Sequence, residues 1–298
     1  MMPKGRQIKI YLADGSVTGI RHAEIVNWTG QALAIPRNRV KELVEWEESQ
    51  KPGVYFLFGV DSESGNDAVY IGEAEQVASR IQQHLSGKDF WNEVICFTNK
   101  DENLTKAHVK YLESRLVVLS AQANRYELLN ANQPPIAVLP RGDRDAMEEF
   151  IDNIRLLIGS LGYRVLEPLA KHQPLIEKIE TSGNANIVDT FSLKAKKYKA
   201  QALQTDEGIV LLAGAEGALT ANASLSKGYT KVRADLIDKG IFKTVGNKLI
   251  LQEDRLFASP SQAAAVLLGY PCSGPEYWID NNGVSLKQRE SMAVQESL

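Results

Sequence analysis

Two apolar segments separated by a short polar loop constrain the fold of this chain more than any other feature. Residues 54–60 are apolar, β-branched or aromatic, a composition that favours an extended strand. Residues 61–67 are polar and typical of a turn, and residues 68–71 return as a second apolar strand. The pattern therefore predicts a β-hairpin with one tyrosine in each strand, Tyr55 and Tyr70.

An amphipathic segment follows the second strand. Residues 75–85 place Val77, Arg80, Ile81 and His84 at the spacing of one helical face. Because Arg80 and His84 are four residues apart, they project side by side, one turn from each other. Taken alone, an arginine and a histidine at this spacing are usually surface groups.

A longer helix is predicted for residues 104–123, and Glu113 borders its apolar stripe. A carboxylate in that position is unfavourable unless a partner compensates it. From the residues alone, one interpretation of Glu113 is a surface ion pair with Lys110 or Arg115.

The order of these elements resembles the GIY-YIG endonuclease superfamily, metal-dependent enzymes that cut phosphodiester bonds. The first family motif corresponds to Gly53-Val54-Tyr55, with valine for isoleucine, and the second to Tyr70-Ile71-Gly72. The loop between them is longer than is usual in the family. The spacing from the second motif to Arg80 matches the family, and many members carry a histidine one turn later, as His84 is here.

The resemblance implies a role for each of these residues. Glu113 is expected to bind a single Mg²⁺ or Mn²⁺ ion, since hard divalent cations prefer oxygen ligands. Arg80 is expected to hold the charge that grows on the phosphate. Tyr70 would act as general base or position the attacking water, with help from Tyr55 and His84.

The family often has an asparagine after the glutamate helix, and here two residues compete for that place. Asn130 is preferred as a catalytic residue over Asn132, although a turn asparagine before Pro-Pro needs no function. Glu73 and Glu75 depart from the family, in which these positions are often neutral or basic. Substrate binding is therefore expected to depend on basic groups elsewhere.

The sequence predicts an α+β fold: a small mixed sheet of the GIY-YIG type flanked by helices, an N-terminal β-hairpin extension and a second small α+β domain. Residues 7–26 alternate around Asp14-Gly15, a hairpin signal, and residues 37–50 are predicted to be helical. An amphipathic helix is expected at residues 144–161. The predicted organisation is an extension (1–50), a nuclease-like domain (51–166), a linker (167–186), a second domain (187–287) and a tail (288–298).

The second domain is predicted to contain strands at 191–204, 208–213, 248–252 and 276–279, and helices at 227–239 and after Ser259. Its Ser-Pro-Ser…Ala-Ala-Ala…Gly…Trp pattern resembles a small domain of unknown function found C-terminal to GIY-YIG domains. Either targeting or assembly would suit it. Its basic residues are expected to face phosphate: Lys194, Lys196, Lys197, Lys199, Lys227, Lys231 and Arg233.

Composition limits the compartments and the binding partners that we expect for this chain. No apolar run approaches the roughly 20 residues of a membrane span, and the N-terminus lacks the apolar core of a signal peptide. Cys96 and Cys272 lack metal-type spacing, so reduced thiols in a cytoplasm are expected. A net charge of −3 argues against indiscriminate coating of DNA but permits a local basic groove.

The leading expectation is a metal-dependent endonuclease that acts on DNA, in defence, restriction or repair. Two alternatives stay open: a catalytically silent nucleic-acid-binding or regulatory protein on the same scaffold, and an RNA-directed nuclease. The sequence also leaves open whether the chain is a monomer or a homo-oligomer.

Overall fold

The computed structural model describes residues 5–131, 134–135, 137–169, 190–195 and 197–296. The chain divides into two compact units, one that ends at Pro168 and one that begins at Leu169. Each unit combines helices with β-sheet, which confirms the predicted α+β class. The boundary lies within the predicted linker, of which residues 170–186 are outside the described part of the chain.

A seven-stranded sheet forms the first unit. Its strands are β1 (Ile8–Leu12), β2 (Arg21–Ile25), β3 (Gly30–Pro36), β4 (Gly53–Val60), β5 (Asp67–Ala74), β6 (Trp91–Asn99) and β7 (Glu127–Leu128). They lie in the order β1-β2-β3-β6-β4-β5-β7. All neighbours are antiparallel except β5 and β7, which are parallel, so the sheet is mixed, as predicted.

Three α-helices accompany this sheet: α1 (Val77–Gly87), α2 (Lys106–Ala123) and α3 (Arg141–Ser160). The prediction of one helix at residues 37–50 was wrong in detail. Two 3-10 helices, Arg37–Glu45 and Glu47–Gln50, occupy this segment. Trp46 between them has an extended backbone (φ −100°, ψ 111°), which interrupts the hydrogen bonding of a continuous helix.

The predicted N-terminal hairpin is present as β1 and β2, but it is not a separate appendage. β3 pairs with β2 on one side and with β6 on the other, so the residues before 51 share one sheet with β4, β5 and β6. Six of the seven residues of β3 are buried, as expected of a central strand covered on both faces.

The two faces of the sheet are covered by different helices. Tyr55 and Leu57 of β4 pack in the same apolar cluster as Val77 and Ile81 of α1. Alternate residues of β4 pack in a second cluster, together with the apolar face of α2 and with α3. Because side chains alternate along a strand, α1 and α2 lie on opposite faces of the β4–β5 hairpin.

The second unit contains two smaller sheets. Its strands are β8 (Thr190–Leu193), β9 (Gln201–Thr205), β10 (Gly208–Leu211), β11 (Glu216–Ala218), β12 (Phe242–Val245), β13 (Lys248–Leu251), β14 (Arg255–Phe257) and β15 (Trp278–Ile279). One sheet has the order β14-β10-β9-β8-β15 and the other β11-β13-β12. The described helices are α4 (Lys227–Asp238), α5 (Pro260–Leu268), α6 (Gly274–Tyr277) and α7 (Leu286–Glu296).

Local signals located most elements of this unit but not all of them. α5 begins as predicted: the Ser259 hydroxyl accepts a hydrogen bond from the Gln262 N–H, and Pro260 occupies the first turn. The strand predicted at 276–279 begins only at Trp278. Pro275 lies in the first turn of α6 and favours a short helix before that strand.

Candidate active site

The hydroxyl of Tyr55 and the imidazole of His84 form the centre of the site. β4 pairs with β5 so that Tyr55 is opposite Gly72, and Leu57 is opposite Tyr70. The Tyr55 hydroxyl oxygen lies 2.8 Å from Nε2 of His84, and both side chains are buried. A side chain at Gly72 would overlap the Tyr55 ring and hydroxyl, so the glycine is required for this contact.

Tyr70 completes an aromatic triad with these two residues. Its ring centroid is 6.4 Å from that of Tyr55 and 5.4 Å from that of His84. The pKa of Tyr70 is raised by burial and by the nearby Glu113 carboxylate, against the effect of Arg80. Tyr70 is therefore a neutral phenol at pH 7, able to donate and accept hydrogen bonds.

Arg80 is the exposed cation of the group. Its contact with Tyr55 and, to a smaller extent, the nearby Tyr70 raise the pKa of Arg80 against the effect of burial. In turn, the guanidinium offsets part of the rise that burial causes in the pKa of Tyr55 and Tyr70. Nη1 donates to Oε1 of Gln83 at 3.0 Å, which leaves other N–H groups directed at the tyrosines and at solvent. Burial and the positive charges of Arg80 and Lys88 lower the pKa of His84 to about 4, so His84 is neutral at pH 7.

Glu113 approaches from α2, on the opposite face of the hairpin. Burial and, next, the negative charge of Glu73 raise the pKa of Glu113 to about 7. The Glu73 backbone N–H, Arg80 and Lys110 act in the opposite direction. Glu113 therefore lies against the Glu73 backbone of β5, within electrostatic range of Arg80.

The outer edge of β5, on the side away from β4, is paired over only part of its length. β7 pairs with Ala68 and Val69, and no strand in the described part of the chain pairs with the later residues of β5 on that side. Asn130 caps part of this edge: its Oδ1 accepts from the Ile71 N–H at 3.0 Å and its Nδ2 donates to the Ile71 carbonyl at 2.7 Å. The described hydrogen bonds of Asn130 are thus with the backbone of Ile71, the residue that follows Tyr70.

The competing asparagine, Asn132, lies outside the described residues. The alternative for Glu113 can be examined directly. Nε of Arg115 is 2.6 Å from Oε1 of Glu148, so this arginine has a different partner. Lys110 affects Glu113 electrostatically, but no ion pair between them lies within 4 Å in the described part of the chain.

The donor set fits a hard divalent cation. Glu113 and Glu73 offer two carboxylates whose mutual repulsion a cation would relieve, and carboxylate oxygens suit Mg²⁺. Across the residues that the structure describes, no cluster of three or more His, Cys, Asp or Glu side chains is arranged for a metal. An ion here would thus need water or substrate oxygens as further ligands, which is usual for Mg²⁺.

Sequence reasoning missed two residues of this region. Glu73 was interpreted only as an unfavourable charge, although it directly follows the second motif. Lys88 was not considered, although it continues the four-residue spacing of Arg80 and His84. Its Nζ lies 4.1 Å from the centroid of the Tyr70 ring. Glu75, the other unexpected acid, is paired with Lys106 at 2.6 Å.

One basic residue of the second unit does not face solvent, which corrects the expectation for Arg233. Its side chain is buried, 3% exposed, and donates to the carbonyls of Ala218, Val266 and Leu267. The last two carbonyls end α5, where a cation is favourable. The other predicted lysines are exposed, except that Lys196 is outside the described residues. Trp278 is fully buried, so packing is its role.

The described helices include none with the length and apolar character that crossing a bilayer requires. Comparison of the chain with curated proteins and with solved structures found no match to either. A family model does match the second unit. Residues 191–290 correspond to the family described as a domain of unknown function, DUF4357.

Proposed function

We propose that the first unit is a metal-dependent phosphodiester hydrolase, an endonuclease of the GIY-YIG type whose substrate is DNA. The observation that carries the proposal is that Arg80 and Glu113 both act electrostatically on Tyr70 and Tyr55, and that His84 contacts the Tyr55 hydroxyl. A cation-binding carboxylate, a guanidinium and a phenol are the groups that hydrolysis of a phosphodiester requires in one place.

Each side chain has a task that its surroundings permit. Arg80 binds the non-bridging phosphate oxygens and stabilises the charge that develops on them, because a guanidinium stays protonated at any working pH. Tyr70, a neutral phenol, orients the attacking water by hydrogen bonding. His84, also neutral, fixes the hydroxyl of Tyr55, which in turn lies against the Tyr70 side of the site.

Glu113 would hold the divalent cation, and Glu73 offers a second carboxylate beside it. When bound, Mg²⁺ or Mn²⁺ would polarise the phosphate and stabilise the departing oxygen. Asn130 keeps the edge of β5 in place between the two faces, through its two hydrogen bonds to Ile71. Removal of Asn130 is thus expected to disturb the site without removing a reacting group.

For the second unit we propose a role in choosing where the protein acts. Exposed lysines support contact with a polyanion, among them Lys194, Lys197, Lys199, Lys227 and Lys231. An assembly role through a second copy of the chain is the competing proposal. Truncation before residue 187 separates them: weaker DNA binding with retained cleavage supports targeting, whereas loss of a dimer with unchanged binding supports assembly.

The direct test is incubation of the purified chain with plasmid DNA, single-stranded DNA and RNA, with Mg²⁺ or with EDTA. Cleavage of DNA with Mg²⁺ alone, and its loss in Glu113→Gln, is the expected result. Arg80→Ala should lower the rate by about 10²-fold or more. Glu63→Gln is the matched control, because this exposed carboxylate lies in the turn between β4 and β5.

Two results would contradict the proposal. Cleavage at the normal rate by Glu113→Gln would mean that the cation binds elsewhere or is not needed. Binding of DNA without cleavage by the wild-type chain, under all metal conditions, would favour the catalytically silent alternative. Cleavage restricted to RNA would support the proposed hydrolysis mechanism and contradict DNA as the substrate.

A further inference from the structure

Lys88 places an ammonium group against the aromatic triad. Its Nζ lies over the Tyr70 ring, 4.1 Å from the centroid, and its charge is one of those that lower the pKa of His84. The second charge that lowers the pKa of His84 is that of Arg80, one helical turn before it. Two cations therefore flank Tyr70 and His84, one on each side of His84 along the chain.

Lys88 has no acidic partner among the described residues. Two other lysines of this unit are paired with carboxylates, Lys100 with Glu24 and Lys106 with Glu75. Lys88 is not part of any ion pair in the described part of the chain, although Asp89 is its neighbour. Asp89 pairs with Arg37 instead, at 3.2 Å. Among the described residues, no carboxylate therefore pairs with the Lys88 side chain beside the site.

The backbone of Lys88 is held on both sides, so its position is defined by the fold. Its N–H donates to the carbonyl of His84 at 3.2 Å and ends α1. Its carbonyl accepts from Nη1 of Arg37 at 2.6 Å, and Nη2 of Arg37 donates to the Leu85 carbonyl at 3.0 Å. The Arg37 guanidinium also lies 4.4 Å from the centroid of the Trp91 ring.

We propose that Lys88 binds a phosphate of the nucleic-acid backbone adjacent to the one that reacts, and that Arg37 is the residue that positions it. This inference rests on the proposed function. Arg80 and Glu113 serve the reacting phosphodiester, so an unpaired cation on the far side of His84 is free to bind the next phosphate along the strand. The site would therefore prefer a polynucleotide to a small phosphodiester with a single phosphate.

The test uses the full chain carrying Glu113→Gln, which prevents cleavage while DNA binding is measured. The probe is a fluorescein-labelled 20-base-pair duplex, titrated at several salt concentrations. Lys88→Met should raise Kd about 5- to 10-fold and reduce the slope of log K against log salt by about 0.9, the contribution of one phosphate contact. Lys88→Arg keeps the charge and should bind as the parent does.

Lys9→Met is the matched control. Lys9 is in β1, five strand positions from β5, or about 24 Å at the usual strand spacing. Its neutralisation should leave Kd and the salt slope unchanged. In the cleaving wild-type background, Lys88→Met should raise KM for the duplex, and Lys88→Arg should restore it.

Unchanged binding by Lys88→Met, with cleavage by the wild type still dependent on Glu113, would overturn this inference and leave the proposed function standing. An equal loss of duplex affinity in Lys88→Met and Lys88→Arg would also overturn this inference, because the packing of Lys88 and not its charge would then be responsible. Failure of the parent chain to bind the duplex, together with absence of cleavage by the wild type, would overturn both.

Discussion

The imidazole of His84 lies 2.8 Å from the hydroxyl of Tyr55, across the gap between α1 and the β4–β5 hairpin. Both groups are buried, so each provides a hydrogen-bond partner for a polar atom of the other that is shielded from water. Burial raises the pKa of Tyr55, and burial with two nearby cations lowers that of His84. At pH 7 the pair is therefore a neutral phenol and a neutral imidazole.

Gly72→Ala is expected to disrupt this pair. A methyl group at Gly72 would overlap the Tyr55 hydroxyl and ring, and the buried strand leaves little room for either to move. We expect a loss of about 1–3 kcal/mol in the free energy of unfolding, together with loss of any cleavage. Thermal and urea unfolding measure the first. Gly87→Ala is the control, because open space surrounds Gly87, and a comparable loss in this variant would contradict the explanation.

His84→Gln is expected to change how stability depends on pH. The folded pKa of His84, about 4, is below the ordinary value of 6.5, so the unfolded state binds more protons between these values. The contribution of His84 is thus complete above pH 6.5 and is lost as pH falls towards 4. Relative to the variant, the wild type should lose about 1–2 kcal/mol of unfolding free energy over this window. A difference independent of pH, or an NMR titration of His84 near 6.5, would contradict this.

Glu113→Gln should change the pH dependence of stability in the opposite direction from His84→Gln. The folded pKa of Glu113, about 7, is above the ordinary value of 4.5, so the folded state binds more protons between these values. Ionisation of Glu113 therefore destabilises the fold as pH rises from 4.5 to 7. In metal-free buffer at pH 8 the variant should be more stable by about 1–2 kcal/mol, and the two should converge below pH 4.5.

Added Mg²⁺ provides the counterpart to that measurement. A cation at Glu113 offsets its repulsion with Glu73, so Mg²⁺ should raise the Tm of the wild type and have little effect on Glu113→Gln. Calorimetry at pH 8, with and without Mg²⁺, measures both effects. An equal rise in Tm for the two proteins would place the ion away from Glu113.

Arg233→Met is expected to destabilise the second unit. The guanidinium satisfies three buried carbonyls, including the last ones of α5, and methionine fills similar space without donors. The loss should be about 2–4 kcal/mol, because the carbonyls would remain buried without partners. Lys231→Met on the exposed side of α4 is the control and should change stability by less than about 0.5 kcal/mol. Equal effects of the two substitutions would contradict a role for burial.

Much of the site could be predicted from local patterns. The apolar, β-branched and aromatic composition of residues 54–60 and 68–71, separated by a polar turn, located the hairpin. Helical spacing put Arg80 and His84 on one face of α1, because side-chain direction repeats every 3.6 residues in a helix. The same reasoning failed for Arg233, since a periodic pattern of charges does not record which lysine or arginine is buried.

The sequence by itself determined the local elements: the tyrosine hairpin, the helix of Arg80 and His84, the Glu113 helix and the capped start of α5. Only the tertiary structure decided that β3 joins the N-terminal hairpin to the sheet, and that Glu113 and Arg80 both act on the pKa of Tyr70. It also decided that Asn130 holds the backbone of Ile71. The physical reason is that periodicity reports which face a residue occupies, whereas contacts between distant segments depend on strand order and on which backbone edge is left unpaired.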